Sequence, residues 1–295
     1  MYLKWVGGKT SLSDSILPNF PKSFKTYVEP FTGSAALYFC FARKHQTSTA
    51  SDLFYQPNYP SNIHLYDINP HLINTHIQVR DNPEQVIQYL QQLEAKHNSA
   101  QENVDAFYKH VRTTVTHDIT NDNKAELAAQ FIYINKTCFN GIWRVNKSGK
   151  NNVPYNKKDS ITFDIQTITL ASTLLKNTHI SHQSCFDVNY QQLDDAFVYL
   201  DPPYYPLSKT SNFAAYNKEK QDDKQLLQQL KQLCDTLTQH NVKFMMSNST
   251  ANEVFQMFEG YNIKTLDAHR FVKAITKKQE KREKVQETLV TNYSL

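Results

Sequence analysis

The tetrapeptide Asp201-Pro202-Pro203-Tyr204 holds the residue types best suited to chemistry in this chain. It directly follows the apolar run Phe197-Val198-Tyr199-Leu200, which reads as a buried strand. Open α/β sheets place ligands at the carboxyl ends of their strands, so an acid at this point is well positioned. Two consecutive prolines stiffen the turn and fix the direction of the adjacent carbonyls. A carboxylate and a backbone carbonyl together accept both N–H bonds of an adenine-type amino group. That geometry draws the nitrogen toward tetrahedral character and frees its lone pair for attack. The face of Tyr204 offers a stacking platform for an extruded base. The competing reading is a proline turn that merely ends a strand; the tyrosine and the strand context weigh against it.

The elements that must position this turn are legible on either side of it. Thr26 to Glu29 reads as a short buried strand, residues 30–34 as a turn and 35–43 as a helix. A polar loop over 44–62 with two prolines follows, then a second strand over 63–66 with Asp67 at its carboxyl end. Strand, turn, helix, strand and acid together open a doubly wound α/β sheet. From about 70 to 130 the pattern changes to helical spacing rich in Gln, Asn, Lys and His, and 139–160 is hairpin-like. The α/β signature resumes after Ser172, with strands expected over 180–185, 197–200 and 242–246 and a helix over 221–239. An insertion of this length is long enough for a domain. The lysine-rich run 277–284 reads as a solvated helix or loop.

Composition narrows the class. The 295 residues are 40% apolar, 12% aromatic and 20% charged, which supports a real core and excludes a disordered chain. A net charge of +4 permits a nucleic-acid partner without requiring one. No stretch reaches the roughly 20 apolar residues of a membrane span. The first residues lack the basic start and apolar run of a signal peptide, so a cytoplasmic protein is expected. Cys40, Cys138, Cys185 and Cys234 stand far apart and form no CxxC pair, the pattern of reduced, mostly buried thiols with no zinc site. Glycine is scarce, six in all, and Gly7, Gly8, Gly33, Gly141 and Gly149 fall in the segments singled out here.

These segments carry a resemblance. Asp201-Pro202-Pro203-Tyr204 resembles the catalytic motif of the amino-methyltransferases, and its surroundings are similar to the Dam-type (class alpha, D12) DNA adenine-N6 methyltransferases over nearly the whole chain. Leu3-Lys4-Trp5-Val6-Gly7-Gly8-Lys9 resembles that family's N-terminal motif, Glu29-Pro30-Phe31-Thr32-Gly33 its S-adenosylmethionine (AdoMet) loop, and Asp67-Ile68-Asn69 the acid after its second strand. Residues 139–146 with Asn152-Val153-Pro154-Tyr155 resemble its DNA-reading hairpin. Pro206-Leu207-Ser208 with Asn212, Phe213 and Tyr216 resembles the loop after its catalytic motif.

The resemblance implies a Rossmann-like AdoMet-dependent methyltransferase sheet with helices on both faces, formed by 1–72 and 169–295. It implies an inserted, mainly helical target-recognition domain over 73–168. It places Trp5, Lys9, Pro30, Phe31, Gly33, Ser34, Asp67, Ile68, Phe186, Asp187 and Asp201 at the cofactor. Asp67 is suited to the ribose hydroxyls, as acids after second strands are in dinucleotide folds. Asp187 is read equally as a contact to the cofactor's adenine or as a helix N-cap. In the hairpin, Arg144 suits bidentate contact to guanine, Asn140 an adenine or phosphate, and Ile142 a wedge between bases. Lys136, Lys147 and Lys150 suit phosphates, with Pro154 and Tyr155 completing the surface. The implied partner is double-stranded DNA containing GATC, with no metal and S-adenosylhomocysteine (AdoHcy) as product. A bacterial or phage-encoded enzyme, monomeric or a weak dimer, is implied, and a cognate restriction endonuclease acting separately is compatible with it.

The chain departs from the family pattern at Ala35, where a second glycine is common, at Asn152 for an aromatic, at Asn156 for a glycine, and in the long loop 44–62. Rival readings are cytosine-N4 methylation, against which the aspartate of the tetrapeptide speaks; a nicotinamide oxidoreductase, against which the missing GxGxxG speaks; and a non-catalytic DNA-binding module.

Overall fold

Thr26–Glu29 (β1) is the pivot of the molecule: all four residues are buried, and the strand pairs in parallel with a neighbour on each side. The computed structural model describes residues 1–47, 59–207, 222–269 and 284–295. After β1 the strands in chain order are Asn62–Asp67 (β2), His179–His182 (β3), Ala196–Leu200 (β4), Lys243–Ser249 (β5), Asn262–His269 (β6) and Lys284–Thr291 (β7). The helices are Ser13–Ile16 (α1), Ala36–Thr47 (α2), Pro70–Asp81 (α3), Pro83–Ser99 (α4), Val104–Thr114 (α5), Lys124–Thr137 (α6), Ile165–Leu175 (α7), Asp223–Gln239 (α8) and Asn252–Met257 (α9).

The strands form one sheet in the order β3-β2-β1-β4-β5-β7-β6. The first five are parallel, while β7 runs antiparallel between β5 and β6. The chain winds outward from β1 to β3, then crosses back to β4 beside β1. That reversal opens a crevice at the carboxyl ends of β1 and β4, where doubly wound folds bind ligands.

Side chains alternate across each strand and feed two cores. Tyr27, Leu65, Phe197, Tyr199 and Met245 face one core with Leu37 and Phe41 of α2 and Leu174 of α7. Val28, Tyr66, Val198, Leu200 and Met246 face the other with Leu227, Leu230 and Leu237 of α8 and Val254 of α9. The sheet is therefore covered on both faces, which is why its central strands are nearly all apolar.

The inserted region shares the first core. Helix α6 is buried along almost its whole length, and Phe131, Ile132, Tyr133 and Ile134 belong to the same apolar cluster as Tyr27 and Phe197. Ala128 and Ala129 on α6 leave room for neighbouring helices, and it packs against α3, α4 and α5. Helix α3 buries Leu72 and Ile73 and touches β2, β3 and α7 as well as α6. Its start is set by Asn69, whose side chain accepts from the amides of His71 and Leu72, with Pro70 at the first helical position. After α6 the chain forms the expected hairpin: Phe139 N–H donates to the Pro154 carbonyl, and Val145 bridges Asn151.

Several elements differ from the sequence expectation. Strand β3 ends at His182 rather than at residue 185, because 185–187 turn away, with Asp187 N–H donating to the Ser184 carbonyl. Strand β5 extends to Ser249, since Ser247, Asn248 and Ser249 are polar yet buried in the ladder to β7. The hairpin of β6 and β7 has no counterpart in the sequence expectation. Lys284, expected in a solvated helix or loop, opens β7, while 277–283 lie outside the described residues. Residues 48–58 of the long loop, with Ser208, Asn212, Phe213 and Tyr216, also lie outside them.

Candidate active site

Asp201 follows β4 directly, at the crevice where the strand order reverses. Its carboxylate accepts from the Lys9 ammonium at 2.7 Å, and Lys9 is only 3% exposed. Lys9 Nζ also donates to the Gly7 carbonyl at 2.6 Å and lies 5.0 Å from the centre of the Tyr204 ring. The Tyr204 hydroxyl donates to Glu287 Oε2 at 2.6 Å. One cation thus sits among acids from three strands, since Glu29 ends β1 and Glu287 lies in β7. Pro202 is buried and Pro203 exposed, and the next residue but one is tied to β5: Tyr205 N–H donates to Asn248 Oδ1, and Ser249 Oγ donates to the Tyr205 carbonyl.

Electrostatics follow from this crowding. Burial pushes the Asp201 carboxyl above its ordinary value, the Lys9 charge and hydrogen bond pull it back, and Glu287 pushes it up again. Glu29 is 3% exposed and its carboxyl is pushed up to about 8, chiefly by burial; the Tyr27 hydroxyl donates to it at 3.0 Å. Glu29 is therefore protonated at neutral pH. Of the two buried carboxyls, Asp201 is the one bonded to a buried ammonium, the contact that favours its charged form against the effect of burial.

The loop after β1 is built around Gly33. Its φ is +48°, and a Cβ there would stand 2.8 Å from Trp5 Cδ1, so any other residue would strain the backbone and strike the indole. Gly33 N–H donates to Asp67 Oδ2 at 3.0 Å, and Asp67 Oδ1 accepts from Asn69 N–H. The Gly33 carbonyl accepts from His76 Nε2 at 2.7 Å. A carbonyl cannot donate, so Nε2 carries the proton and Nδ1 accepts from the Tyr2 hydroxyl. Burial pushes His76 down to about 4, in keeping with this neutral tautomer.

The structure brings most of the expected cofactor residues to one crevice. Pro30, Gly33, Ser34 and Asp67 are buried, Phe31 is half-buried against the second core, and Trp5 is half-buried and stacked on Phe131. Ile68 and Phe186 are exposed at the same edge of the sheet, 39% and 40%. Asp187 is exposed and starts no helix; the short 3-10 turn Tyr190–Gln192 begins after Asn189, so the N-cap alternative falls away.

The hairpin places its residues unequally. Lys147, Lys150, Asn140 and Pro154 are exposed, and Asn140 takes the left-handed conformation at φ 55°. Arg144 is half-buried: Nε donates to Asn152 Oδ1 at 2.7 Å and Nη2 to the Asn152 carbonyl at 3.2 Å. Asn152, which departs from the family pattern, is thus the brace for Arg144. Ile142 is half-buried against the first core rather than projecting, and the exposed apolar side chain at the hairpin's base is Phe139, at 49%. Tyr155 turns inward, stacking near Tyr108 and donating to the Lys158 carbonyl. Lys136 is half-buried with its ammonium 5.5 Å from the Phe163 ring.

Three residues of the site carry no role in the sequence reading: Glu29, Glu287 and Phe139. The first lies inside a quoted motif, the second on a strand that no motif marks, and the third beside the expected wedge. Among the described residues no group of three or more His, Cys, Asp or Glu side chains gathers to hold a metal ion. No helix among them is long and apolar enough to cross a membrane.

A doubly wound sheet with an acid-proline-proline-tyrosine turn at its crevice defines an α/β methyltransferase fold. Comparison with known proteins gives the family. Residues 5–272 match the model of the D12 class N6 adenine-specific DNA methyltransferases, and the chain belongs to that family. It is 34% identical to the Type II methyltransferase M.MjaIII of Methanocaldococcus jannaschii, over 99% of this chain and 98% of that one. It is 33% identical to a Type II methyltransferase of Lactococcus lactis subsp. cremoris, over 99% and 95%. It is 26% identical to the DNA adenine methylase of Escherichia coli, over 98% and 93%. The protein is an adenine-specific DNA methyltransferase.

Proposed function

We propose that the enzyme methylates N6 of an adenine flipped out of duplex DNA, with AdoMet as donor and GATC as target. The observation that carries this reading is the Lys9–Asp201 pair at the crevice, one loop away from the Gly33 turn. The residues present fit AdoMet: the bare backbone of Gly33 lets the Trp5 indole lie against the turn, and Asp67 ends the neighbouring strand as a ribose-binding acid would. Trp5, Lys9, Pro30, Phe31, Ser34, Ile68, Phe186 and Asp187 complete the proposed cofactor site.

When bound, AdoMet supplies an activated sulfonium methyl. The protein's share is positioning, the term by which oriented groups lower a barrier most. Asp201 and the Pro202 carbonyl accept the two N6 hydrogens, and Pro203 holds the turn rigid. For the adenine to reach Asp201, the Lys9 ammonium must yield the carboxylate oxygen it now holds. Tyr204 presents its ring to the base, with its hydroxyl anchored on Glu287. Burial raises the proton affinity of Asp201, which suits it to take the proton that N6 sheds.

The hairpin is the proposed reader. Arg144, held by Asn152 through Nε and one hydrogen of Nη2, presents Nη1 and the remaining Nη2 hydrogen to a guanine. Lys136, Lys147 and Lys150 hold phosphates, and Asn140 and Pro154 lie along the same surface. Ile142 and the more exposed Phe139 stand where the target leaves the stack; Tyr155 fixes the returning strand from behind. We place the catalytic part in 1–72 and 169–295 and the target-recognition part in 73–168, with α3 as their shared join.

The test is transfer of labelled methyl from AdoMet to two duplexes that differ only in a central GATC, followed by nucleoside analysis. Label as N6-methyladenine in the GATC duplex alone is the expected result. N6-methyladenine in both duplexes overturns the site, and N4-methylcytosine overturns the base.

A further inference from the structure

Residues 2–9 lie between the two parts of the proposed site, and one side chain of the insertion holds them at Lys4. Asn135, near the end of α6, is 7% exposed. Its Oδ1 accepts from the Lys4 N–H at 2.8 Å, and its Nδ2 donates to the Lys4 carbonyl at 2.7 Å. The same Nδ2 donates to the Gly141 carbonyl at 3.1 Å. The amide therefore reads both backbone groups of Lys4, as a neighbouring strand would, and spends its remaining hydrogen on the base of the hairpin. Aspartate has the shape but not the two donors, and leucine has the bulk but no polar atoms.

The seam is tight on both sides of this amide. Gly141 has φ +67°, and a Cβ there would stand 3.1 Å from both Cβ and the carbonyl oxygen of Lys4. The residue after Lys4 is Trp5, whose ring lies against Gly33 on one side and stacks on Phe131 at 6.0 Å on the other. Phe131 in turn lies 4.6 Å from Trp143 of the hairpin, with the rings tilted 34°. Close-packed contacts of this kind pass a displacement on rather than absorb it. A shift of the hairpin at Gly141 reaches Lys4 through Asn135, and from Lys4 it reaches Trp5 and the Gly33 turn.

We propose that Asn135 is a positioning residue that holds the hairpin and residues 2–9 in one register, so that duplex DNA and the cofactor bind cooperatively. The inference rests on the cofactor and hairpin assignments of the preceding section. By linkage, whatever factor DNA contributes to cofactor affinity, the cofactor returns to DNA affinity.

The experiment is calorimetric titration of AdoHcy into the full-length enzyme with and without a GATC duplex. In the wild type the duplex tightens AdoHcy binding by on the order of tenfold, within the usual range of coupling between sites. Asn135→Leu removes all three bonds from the α6 side, and Gly141→Ala wedges the seam from the hairpin side with the amide intact. Each brings the ratio close to one. Thr137→Ala is the control for mere destabilisation: it deletes the bond from Oγ1 to the Tyr133 carbonyl on the same helix, a bond that involves neither Lys4 nor Gly141. It lowers the melting temperature and keeps the wild-type ratio. A wild-type ratio of one, or wild-type ratios in both seam variants, overturns the role of Asn135 and leaves the cofactor reading standing. Failure of the wild type to bind AdoHcy under either condition overturns the cofactor reading and this inference with it.

Discussion

The crevice around Asp201 and the hairpin around Arg144 hold their polar groups by opposite means. At the crevice a buried ammonium from the N-terminal segment, three acids and Tyr204 are gathered from segments far apart in the chain, with Lys9 bonded to Asp201 and Tyr204 to Glu287. At the hairpin Arg144 is half-buried on Asn152, and the exposed tip is held by local bonds: Asn146 Oδ1 alone accepts from the Ser148 amide and hydroxyl and the Lys150 amide. A change at the crevice leaves a buried charge without its partner, which is costly. A change at an exposed side chain of the hairpin, away from the Gly141 seam, alters one contact and leaves the turn standing. The chemistry is therefore fixed by the fold, and the target sequence is open to revision.

Two substitutions test that contrast at its extremes. Asp201→Asn keeps the shape of the site and removes the charge that Lys9 pairs with. Methyl transfer should fall roughly 10²–10⁴-fold, the range for loss of a positioned proton acceptor, while AdoHcy binding remains measurable by calorimetry. Loss of AdoHcy binding in step with activity would show that Asp201 serves the cofactor first. Arg144→Ala should cost about 1–3 kcal/mol of discrimination between GATC and a site with its guanine replaced, with little change in turnover at saturating DNA. Competition between the two duplexes measures it. A collapse of turnover at saturation would mean that the hairpin is as rigidly coupled to chemistry as the crevice is.

What the sequence disclosed follows the same division. β1, β2 and β4 were legible because each is a short apolar run ending in a chemically distinctive residue, Glu29, Asp67 or Asp201. The class of enzyme was legible because motifs recur in order, and the family match covers residues 5–272. Hidden from view was whatever depends on contacts between distant segments. Lys9 and Asp201 are 192 positions apart, and nothing in either local sequence announces their pairing. Glu287 stayed hidden because it sits in the polar run Gln286-Glu287-Thr288, which breaks the strand pattern of β7 late in the chain, where no motif drew attention. The inward turn of Ile142 was invisible for the opposite reason: an apolar residue in a hairpin reads the same whether it faces the core or the solvent.

Acid–base behaviour separates two buried groups with opposite signs. Glu29, held at about 8 against an ordinary 4.5, binds its proton more tightly in the folded protein than in the unfolded chain. Its contribution is fully present below pH 4.5 and is lost as pH rises through about 8. His76, held at about 4 against 6.5, works the other way: its contribution is present above 6.5 and lost as pH falls through about 4. Glu29→Gln should therefore melt higher than the wild type by a margin that widens from about pH 5 to about pH 9. Each tenfold change in proton affinity is worth about 1.4 kcal/mol, and each kcal/mol shifts the melting temperature by roughly 2 °C in a chain of this length, so the margin should reach about 10 °C. A margin constant with pH would mean that Glu29 is ionised in the folded enzyme, and that Lys9 is shared between two carboxylates.

The smallest expected effect lies at Ala35, where the proposed cofactor loop meets α2. The residue has φ 55°, a conformation that costs an L-residue roughly 1–2 kcal/mol, and glycine would relieve that cost. Two terms oppose the relief. Glycine loses roughly 0.5–1 kcal/mol more backbone entropy on folding. The alanine methyl is wholly buried in the first core, and a buried methyl is worth about 0.8 kcal/mol. The three nearly cancel, so Ala35→Gly should shift the melting temperature by no more than about 3 °C in either direction. Ala35→Val, with a branched side chain in the same conformation, carries all of the strain and adds a clash in a packed core, and it should melt well below both. If glycine instead stabilised the enzyme strongly, the methyl would contribute nothing to the core; if valine were tolerated, the left-handed turn that sets up Gly33 would have to relax, and cofactor affinity should fall with it.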